Sequence, residues 1–321
     1  MRRTYTWVWV MVIGAVLMSA CNGAPQTPMT PETALPTATV APATETETET
    51  PAPPTPTAEP LAALVNGEPL TLAEYERQLA RYEAAMAAAG QDPSTPEGQA
   101  ELAQARGELL EQLIEQMLII QAAHEAGIEV TDAEVDAAIQ SLVQDIGQAT
   151  FDQRLANEGL TLETARLEMW RGMMATAMVS QIVADVPTRA EHIRARHILV
   201  STEESAAQLR QQLQGGANFA TLAQTYSQDT FTRDRGGDLG FFPRGILISP
   251  EVEAAAFALQ PEEISEVVQS ELGYHILQVV ERIPDMEIAP NNLDLLRKQA
   301  LQIWLDTLKS QAEIQRFVDI P

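Results

Sequence analysis

Cysteine and histidine are scarce in this chain of 321 residues, which contains one cysteine, Cys21, and four histidines. A single cysteine excludes a disulfide framework, a cysteine-rich zinc site and a C-x-x-C redox centre within the chain. None of the histidines stands in an H-E-x-x-H pattern, and no G-x-x-x-x-G-K-[ST] loop is present. The sequence therefore predicts no catalytic metal and no phosphate-binding loop for a nucleotide.

Positive charge is also scarce, because 20 Lys and Arg residues stand against 45 Asp and Glu residues, a formal net charge of −25. A nucleic-acid binder needs a basic surface that neutralises phosphates, so neither nucleic acid nor nucleotide is expected as a partner. Aromatic residues make up only 5%, but the hydrophobic content of 45% is sufficient for a core. The length allows about two domains of ordinary size.

The N-terminus has the features of a signal peptide. Met1-Arg2-Arg3 is basic, and the apolar run Trp7–Ala20 that follows is too short, at about 1.5 Å per helical residue, to span a hydrocarbon core of ~30 Å. We therefore expect a signal peptide over residues 1–20. The run ends in Leu17-Met18-Ser19-Ala20 before Cys21 and resembles a bacterial lipobox. That resemblance implies that Cys21 is lipidated and anchors an extracytoplasmic protein to the bacterial membrane; the alternative is an ordinary secretory signal with a chance cysteine.

Residues 21–60 have the composition of a linker. Positions 22–60 contain 10 of the 20 prolines and 11 threonines, with a Thr-Glu alternation over 44–50. Such a segment buries too little apolar surface to offset the entropy lost on ordering. The sequence predicts a disordered Thr/Pro/Glu linker over residues 21–60.

Residues 63–71 have the pattern of a short strand, an Asn-Gly turn at Asn66-Gly67 and a helix start at Thr71. Thr71 with Glu74, and Thr131 with Glu134, have the spacing of capping boxes, and apolar residues recur at helical intervals between them. We predict a helical domain over residues 61–187, with helices at about 71–89 and 97–126, a third that begins after Thr131, and a fourth at about 161–184.

A long amphipathic helix is expected over residues 290–318 at the other end of the chain. Its apolar face consists of Leu293, Leu296, Ala300, Ile303, Trp304 and Leu308. A single helix needs a partner for such a face, so we expect it to pack on the helices of residues 61–187.

Residues 190–283 have a different residue pattern from both helical regions. They contain the apolar strand Ala195–Val200 with His197 in it, the turn Gly236–Gly240, and the segment Gly273–Leu277 with His275 in it. His192, just before these motifs, is expected to be solvated in a linker.

These short motifs, in this order and spacing, resemble the parvulin family of peptidyl-prolyl cis–trans isomerases, of the PpiC type. The resemblance implies an α+β fold, in which a βα3βαβ2 domain over residues 190–283 is inserted in an all-α, chaperone-like module built from the N- and C-terminal helices. The helical regions resemble extracytoplasmic foldases of the SurA and trigger-factor type, on the Val-Asn-Gly-Glu start at residue 65 and the Trp304-bearing helix.

The resemblance also implies site residues. His197 and His275 match the paired histidines of the family, Asp229 matches a position that is Cys or Asp, and Ser270 matches a hydroxyl position beside the second histidine. The apolar cup for the proline ring is implied to consist of Leu239, Leu247 (or Ile248, one residue along), Val252 and Phe257. Leu247 stands where the family usually has Met, and Val252 stands where it usually has Phe. The loss of the aromatic side chain would weaken binding of the proline ring.

The implied activity is isomerisation of X–Pro bonds without a covalent intermediate and without a cofactor, in unfolded or partly folded secreted or envelope proteins. The alternative is a holdase chaperone whose parvulin domain has lost catalysis.

Overall fold

The computed structural model describes residues 59–318. The expected signal peptide, Cys21 and almost all of the 21–60 linker lie outside the described residues. The strands of the described chain are β1 (Leu61–Val65), β2 (Glu68–Thr71), β3 (Arg189–Val200), β4 (Asp238–Pro243), β5 (Val268–Ser270), β6 (Gly273–Glu287) and β7 (Ile314–Arg316). The α-helices are α1 (Leu72–Ala88), α2 (Pro96–Glu125), α3 (Asp132–Ile146), α4 (Gln148–Asn157), α5 (Leu162–Ala184), α6 (Glu203–Gln214), α7 (Phe219–Tyr226), α8 (Pro250–Ala258) and α9 (Pro290–Gln311).

The described chain divides into two compact units, residues 59–175 with 312–318 and residues 176–311. The first unit contains α1–α4, most of α5 and a small antiparallel sheet in the order β2-β1-β7. None of the helices between residues 59 and 318 is both long and apolar enough to cross a membrane.

The helix starts of the first unit follow the capping signals. Thr131 and Glu134 form a reciprocal capping box at the start of α3, as predicted. At the start of α1 the hydroxyl of Thr71 accepts a hydrogen bond from the backbone N–H of Glu74 at 3.2 Å. The helical region is divided more finely than predicted, because Gly147, at φ +83°, separates α3 from α4.

The small sheet corrects the prediction of an all-α module. β7 pairs antiparallel with β1, and the side-chain amide oxygen of Asn66 in the β1–β2 turn accepts a hydrogen bond from the backbone N–H of Glu313 at 2.8 Å. The helix expected over residues 290–318 therefore ends at Gln311. A three-residue strand is stabilised by backbone bonds to its neighbour rather than by its own composition, so no local signal announces it.

The second unit contains a four-stranded antiparallel sheet in the order β4-β3-β6-β5. Along the chain its elements run β3, α6, α7, a short 3-10 turn at Arg233–Arg235, β4, α8, β5 and β6, which confirms the predicted βα3βαβ2 order. One face of the sheet packs on α6 and α7 through Ile198, Val200 and Ile276, and the other packs on α8 through Ile193, Ala195 and Leu277.

The last helix belongs to the second unit, together with the end of α5. Its packing on the helices of residues 61–187 stays a prediction. Leu296, Ala300 and Ile303 of α9 line a cavity of about 360 Å³ together with Pro187 and Pro243. No residue of α9 is buried and Ile303 is 67% exposed, so the apolar face of this helix is only partly covered within the described residues.

The backbone conformation and close surroundings of Gly237 predict that a larger residue there destabilises the second unit. Its φ is +81°, and a Cβ at this position would lie 2.1 Å from the carbonyl oxygen of His197. Gly237→Ala should lower the free energy of unfolding of the second unit by about 3 kcal/mol, because backbone strain and a backbone clash add. Urea unfolding followed by circular dichroism measures this loss.

Gly216 is the matched control, because its φ is +92° but no atom lies within 4 Å of the place that a Cβ would occupy. Gly216→Ala should cost about 1 kcal/mol, the strain alone. Equal losses for the two variants would contradict the contact with His197.

Candidate active site

The pairing of β3 with β6 brings two buried histidines together. In this register His197 lies opposite Leu277 and Leu199 lies opposite His275, so the two histidines are diagonal neighbours on one face of the sheet. Their rings are stacked, with centroids 5.6 Å apart and planes 22° apart. Because side chains alternate along a strand, the same face also carries Ala195 and Leu277 of the apolar cluster under α8.

A carboxylate and a hydroxyl hold His197 from the loop after α7. Nε2 of His197 lies 2.7 Å from Oδ2 of Asp229 and 3.1 Å from Oγ1 of Thr232. Thr232 also donates its hydroxyl to Oδ2 of Asp229, and the backbone N–H of Phe231 donates to Oδ1 at 3.0 Å. The carboxylate is thereby surrounded by donors.

Ser270 of β5 holds His275 from the other side. Its Oγ lies 2.7 Å from Nε2 of His275, and it accepts a hydrogen bond from the backbone N–H of Leu272 at 3.0 Å. Nδ1 of His275 lies 3.4 Å from Nδ1 of His197. Ser270, His275, His197 and Asp229 therefore form one continuous chain of polar contacts.

Two residues of this polar chain, His275 and Asp229, have shifted pKa values. Burial, with a smaller contribution from the adjacent His197, lowers the pKa of His275 to about 4, so this imidazole is neutral at pH 7. Burial acts to raise the pKa of Asp229, but hydrogen bonds from Thr232, His197 and Phe231 outweigh it and hold that pKa below its usual value.

A neutral His275 offers one ring nitrogen as a donor and the other as an acceptor, whereas the ionised Asp229 only accepts hydrogen bonds. In an arrangement that satisfies both residues, Ser270 donates its hydroxyl to Nε2 of His275, Nδ1–H of His275 donates to Nδ1 of His197, and Nε2–H of His197 donates to Asp229. Each of these polar contacts then joins a donor to an acceptor.

Leu239 and Leu247 provide apolar surface on the side of the sheet that carries the histidines. Leu239 is the extra residue of a β-bulge between β3 and β4, where Ala195 pairs with Gly240 and Arg196 pairs with Asp238. Bulges redirect side chains in this way next to active sites. Both leucines are partly buried against the cluster under α8.

Glu253 of α8 positions the loop that carries Leu247. Its carboxylate accepts hydrogen bonds from the backbone N–H groups of Gly245, Ile246 and Leu247 at 2.8, 3.0 and 3.1 Å. With the loop held in this way, Leu247 packs against the cluster, whereas Ile248 is 93% exposed. Of the two positions that the sequence left open, Leu247 is the one in the cluster.

Val252 and Phe257 lie in the same cluster but are buried. Phe257 contacts Phe242 edge to face at 5.9 Å and lies under the guanidinium of Arg244 at 4.1 Å. Both side chains are buried within the cluster, whereas Leu239 and Leu247 are among the residues that are only partly buried against it.

The structure thus brings the four polar residues predicted from sequence into one chain and the four apolar ones into one cluster. It adds Thr232 and Glu253, which sequence reasoning missed; the Asp-x-x-Thr spacing from Asp229 was a signal for the first. His192, expected in a solvated linker, is buried on β3, and its Nδ1 lies 3.0 Å from the carbonyl oxygen of Ala190. β3 begins earlier than the apolar run at residue 195 suggests.

Two family matches agree with this division of the chain. Residues 193–281 match the PPIC-type PPIASE domain, and residues 55–158 match the SurA-like N-terminal domain.

Proteins and solved structures similar to this chain include foldases and a parvulin. The foldase protein PrsA of Caldanaerobacter subterraneus subsp. tengcongensis is 35% identical over 227 residues, 68% of this chain and 72% of that protein. The foldase protein PrsA of Oceanobacillus iheyensis is 31% identical over 213 residues, 64% of this chain and 71% of that protein.

Among solved structures, PrsA from Bacillus anthracis is 29% identical over 63% of this chain and 94% of its own, with a TM-score of 0.40. The parvulin of Nitrosopumilus maritimus is 37% identical over 29% of this chain and 98% of its own, with a TM-score of 0.27.

The sheet order, the diagonal histidine pair and the domain match define a peptidyl-prolyl cis–trans isomerase of the parvulin class. The identity to full-length relatives goes further, because it covers the helical region as well as the isomerase domain. The chain belongs to the family of PrsA foldase proteins.

The low pKa of His275 gives a pH-dependent stability. In the unfolded chain this histidine binds a proton below its ordinary pKa of 6.5, whereas in the folded state it stays neutral down to about 4. The unfolded state therefore binds more protons between these values, and stability should fall as pH is lowered from 6.5 to 4. Urea unfolding midpoints at a series of pH values measure this.

His275→Gln is the comparison, because it removes the titrating group. Its stability should fall less than that of the wild type over the same interval. An NMR titration in which His275 ionises near its ordinary pKa of 6.5 would contradict the explanation.

Proposed function

We propose that His197, Asp229, His275 and Ser270 form the catalytic centre, and that Leu239 and Leu247, supported by Val252 and Phe257, receive the proline ring. The substrates are X–Pro bonds of unfolded or partly folded secreted proteins, and catalysis is non-covalent. The continuous polar chain on the same face as the apolar cluster is the observation that carries this proposal.

The reaction requires rotation about an amide bond rather than bond cleavage. Amide resonance imposes a barrier of ~18–20 kcal/mol, and the uncatalysed change takes tens to hundreds of seconds. A catalyst lowers this barrier by binding the twisted amide, whose resonance is reduced, more tightly than the planar one. An apolar cup that binds the ring, next to two buried imidazoles that exclude water from the imide carbonyl, meets that requirement.

The environment of Asp229 argues against a covalent nucleophile. Its carboxylate accepts hydrogen bonds from Thr232, Phe231 and His197, so its lone pairs are occupied. We assign it a positioning role, in which it fixes the tautomer and orientation of His197.

A second function, client holding without catalysis, is favoured by the burial of Val252 and Phe257. A cup with less accessible apolar surface binds a proline ring less tightly. A holdase would suppress aggregation of a denatured client protein and leave the prolyl isomerisation rate at its uncatalysed value. An aggregation assay and an isomerisation assay on the same protein therefore distinguish the two functions.

We also propose membrane anchoring through a lipid on Cys21. Support comes from the residues Leu17-Met18-Ser19-Ala20 before it and from the 39 Pro- and Thr-rich residues at 22–60 after it. In extended polyproline geometry, at ~3.1 Å per residue, such a linker reaches ~120 Å. The folded units would then meet secreted chains at a distance from the membrane on its outer side.

The catalytic proposal predicts the effect of two substitutions on the isomerisation of a proline tetrapeptide. His275→Gln should lower kcat/KM at least tenfold, about 1.4 kcal/mol of transition-state stabilisation, because the polar chain is broken at its centre. Thr232→Val should lower it severalfold, because Asp229 and His197 each lose a hydrogen-bond partner.

His192→Gln is the control, since His192 is a buried histidine on the same strand that lies outside the polar chain. Its kcat/KM should stay within twofold of the wild type, with folding checked by circular dichroism. Full activity of His275→Gln would overturn the assignment of this site.

The anchoring proposal predicts that Cys21→Ser shifts the protein from the membrane fraction to the soluble extracytoplasmic or culture fraction of an expressing bacterium. Mass spectrometry of the wild type should find an N-terminal lipid on Cys21. A mature N-terminus at another residue, or membrane retention of Cys21→Ser, would contradict the anchor.

A further inference from the structure

The exposed apolar residues of the isomerase domain lie close in sequence to the residues of the site. Between residues 190 and 283 the large hydrophobic side chains that are exposed are Tyr226, Phe231, Ile248 and Leu272. Each lies within three positions of a residue placed in the polar chain or the cup. Single exposed hydrophobics are common on protein surfaces, so the ones that also contact the polar chain through their backbone are the informative ones.

Two of these residues donate a backbone hydrogen bond to the polar chain. The backbone N–H of Phe231 donates to Asp229, and the backbone N–H of Leu272 donates to Ser270, each at 3.0 Å. Asp229 and Ser270 are the two ends of that chain, so Phe231 and Leu272 stand at its opposite ends. Their side chains are 87% and 61% exposed.

The arginines that follow Phe231 already have partners within the protein. Arg233 is paired with Asp234 at 3.1 Å. The guanidinium of Arg235 donates to the carbonyl oxygen of Phe231 at 3.3 Å, and its charge helps to lower the pKa of Asp238. An acidic substrate residue beside Phe231 would therefore compete with these partners, whereas an apolar residue gains contact with the ring.

The surroundings of Leu272 disfavour an acidic ligand more directly. Its neighbour Glu271 is exposed and negative, and would repel a carboxylate of the substrate. An apolar substrate residue loses nothing to this charge and gains contact with the leucine.

We propose that Phe231 and Leu272 are specificity-determining residues, which contact substrate side chains on the two sides of the X–Pro bond and select large apolar residues there. This inference rests on the proposed catalytic centre. It explains why two exposed hydrophobics are held in place by backbone bonds to the catalytic chain itself.

The substitutions Phe231→Ala and Leu272→Ala test the proposal cleanly. Both remove the side chain and keep the backbone N–H, so the hydrogen bonds to Asp229 and Ser270 persist. Phe317→Ala and Leu162→Ala are matched controls of the same residue types, since each of these side chains is 54% exposed and lies outside the isomerase domain.

The experiment measures kcat/KM of the full chain and its variants on proline peptides with Leu, Gln, Glu or Lys before or after the proline. The wild type should prefer Leu to Gln about tenfold, and Glu should be the poorest residue. Phe231→Ala and Leu272→Ala should each lose roughly fivefold to tenfold on one set of Leu peptides, mainly through KM, and less than about twofold on Gln peptides. The two controls should retain the wild-type preference.

Equal rates for Leu and Gln peptides in an active wild type would overturn this inference and leave the catalytic centre standing. An unchanged Leu preference in both alanine variants would overturn it as well. A wild type that accelerates no peptide would overturn the catalytic centre, and the inference with it.

Discussion

The antiparallel pairing of β3 with β6 is the constraint on which the site depends. Its register makes His197 and His275 diagonal neighbours, and strand alternation directs both side chains to the face that carries the apolar cluster under α8. A shift of one residue in one strand would turn its histidine to the opposite face. The polar chain and the apolar cup exist together because the core on each face of the sheet holds this register.

Burial then determines the chemistry of the site. It keeps His275 neutral at pH 7 by lowering its pKa, while hydrogen bonds lower the pKa of Asp229 and keep it ionised. Rotation of a prolyl bond needs no proton transfer, and a neutral His275 on the same face of the sheet as an apolar surface suits it. Because the buried imidazole of His275 resists protonation, the free energy of unfolding should fall as the pH is lowered.

Much of the fold could be predicted from local patterns, and the failures have physical explanations. The Thr131–Glu134 capping box was predicted because a cap acts over a few residues, and the βα3βαβ2 order was predicted through the resemblance of its short motifs to the parvulin family. β7 was not predicted, because its pairing with β1 depends on a partner far away in sequence. Thr232 and Glu253 were missed because their roles consist of hydrogen bonds that only a folded loop creates.

The sequence by itself excluded a disulfide framework and a P-loop, because these depend on composition and local spacing. Its motifs, through their resemblance to the parvulin family, indicated the class of fold and made His197, Asp229 and His275 candidate site residues. Tertiary structure alone decided which side chains are buried. It buried Val252 and Phe257, placed Leu247 rather than Ile248 in the cluster, and left Phe231 exposed at one end of the polar chain. Exposure depends on which distant segments cover a residue, and residue type does not specify that.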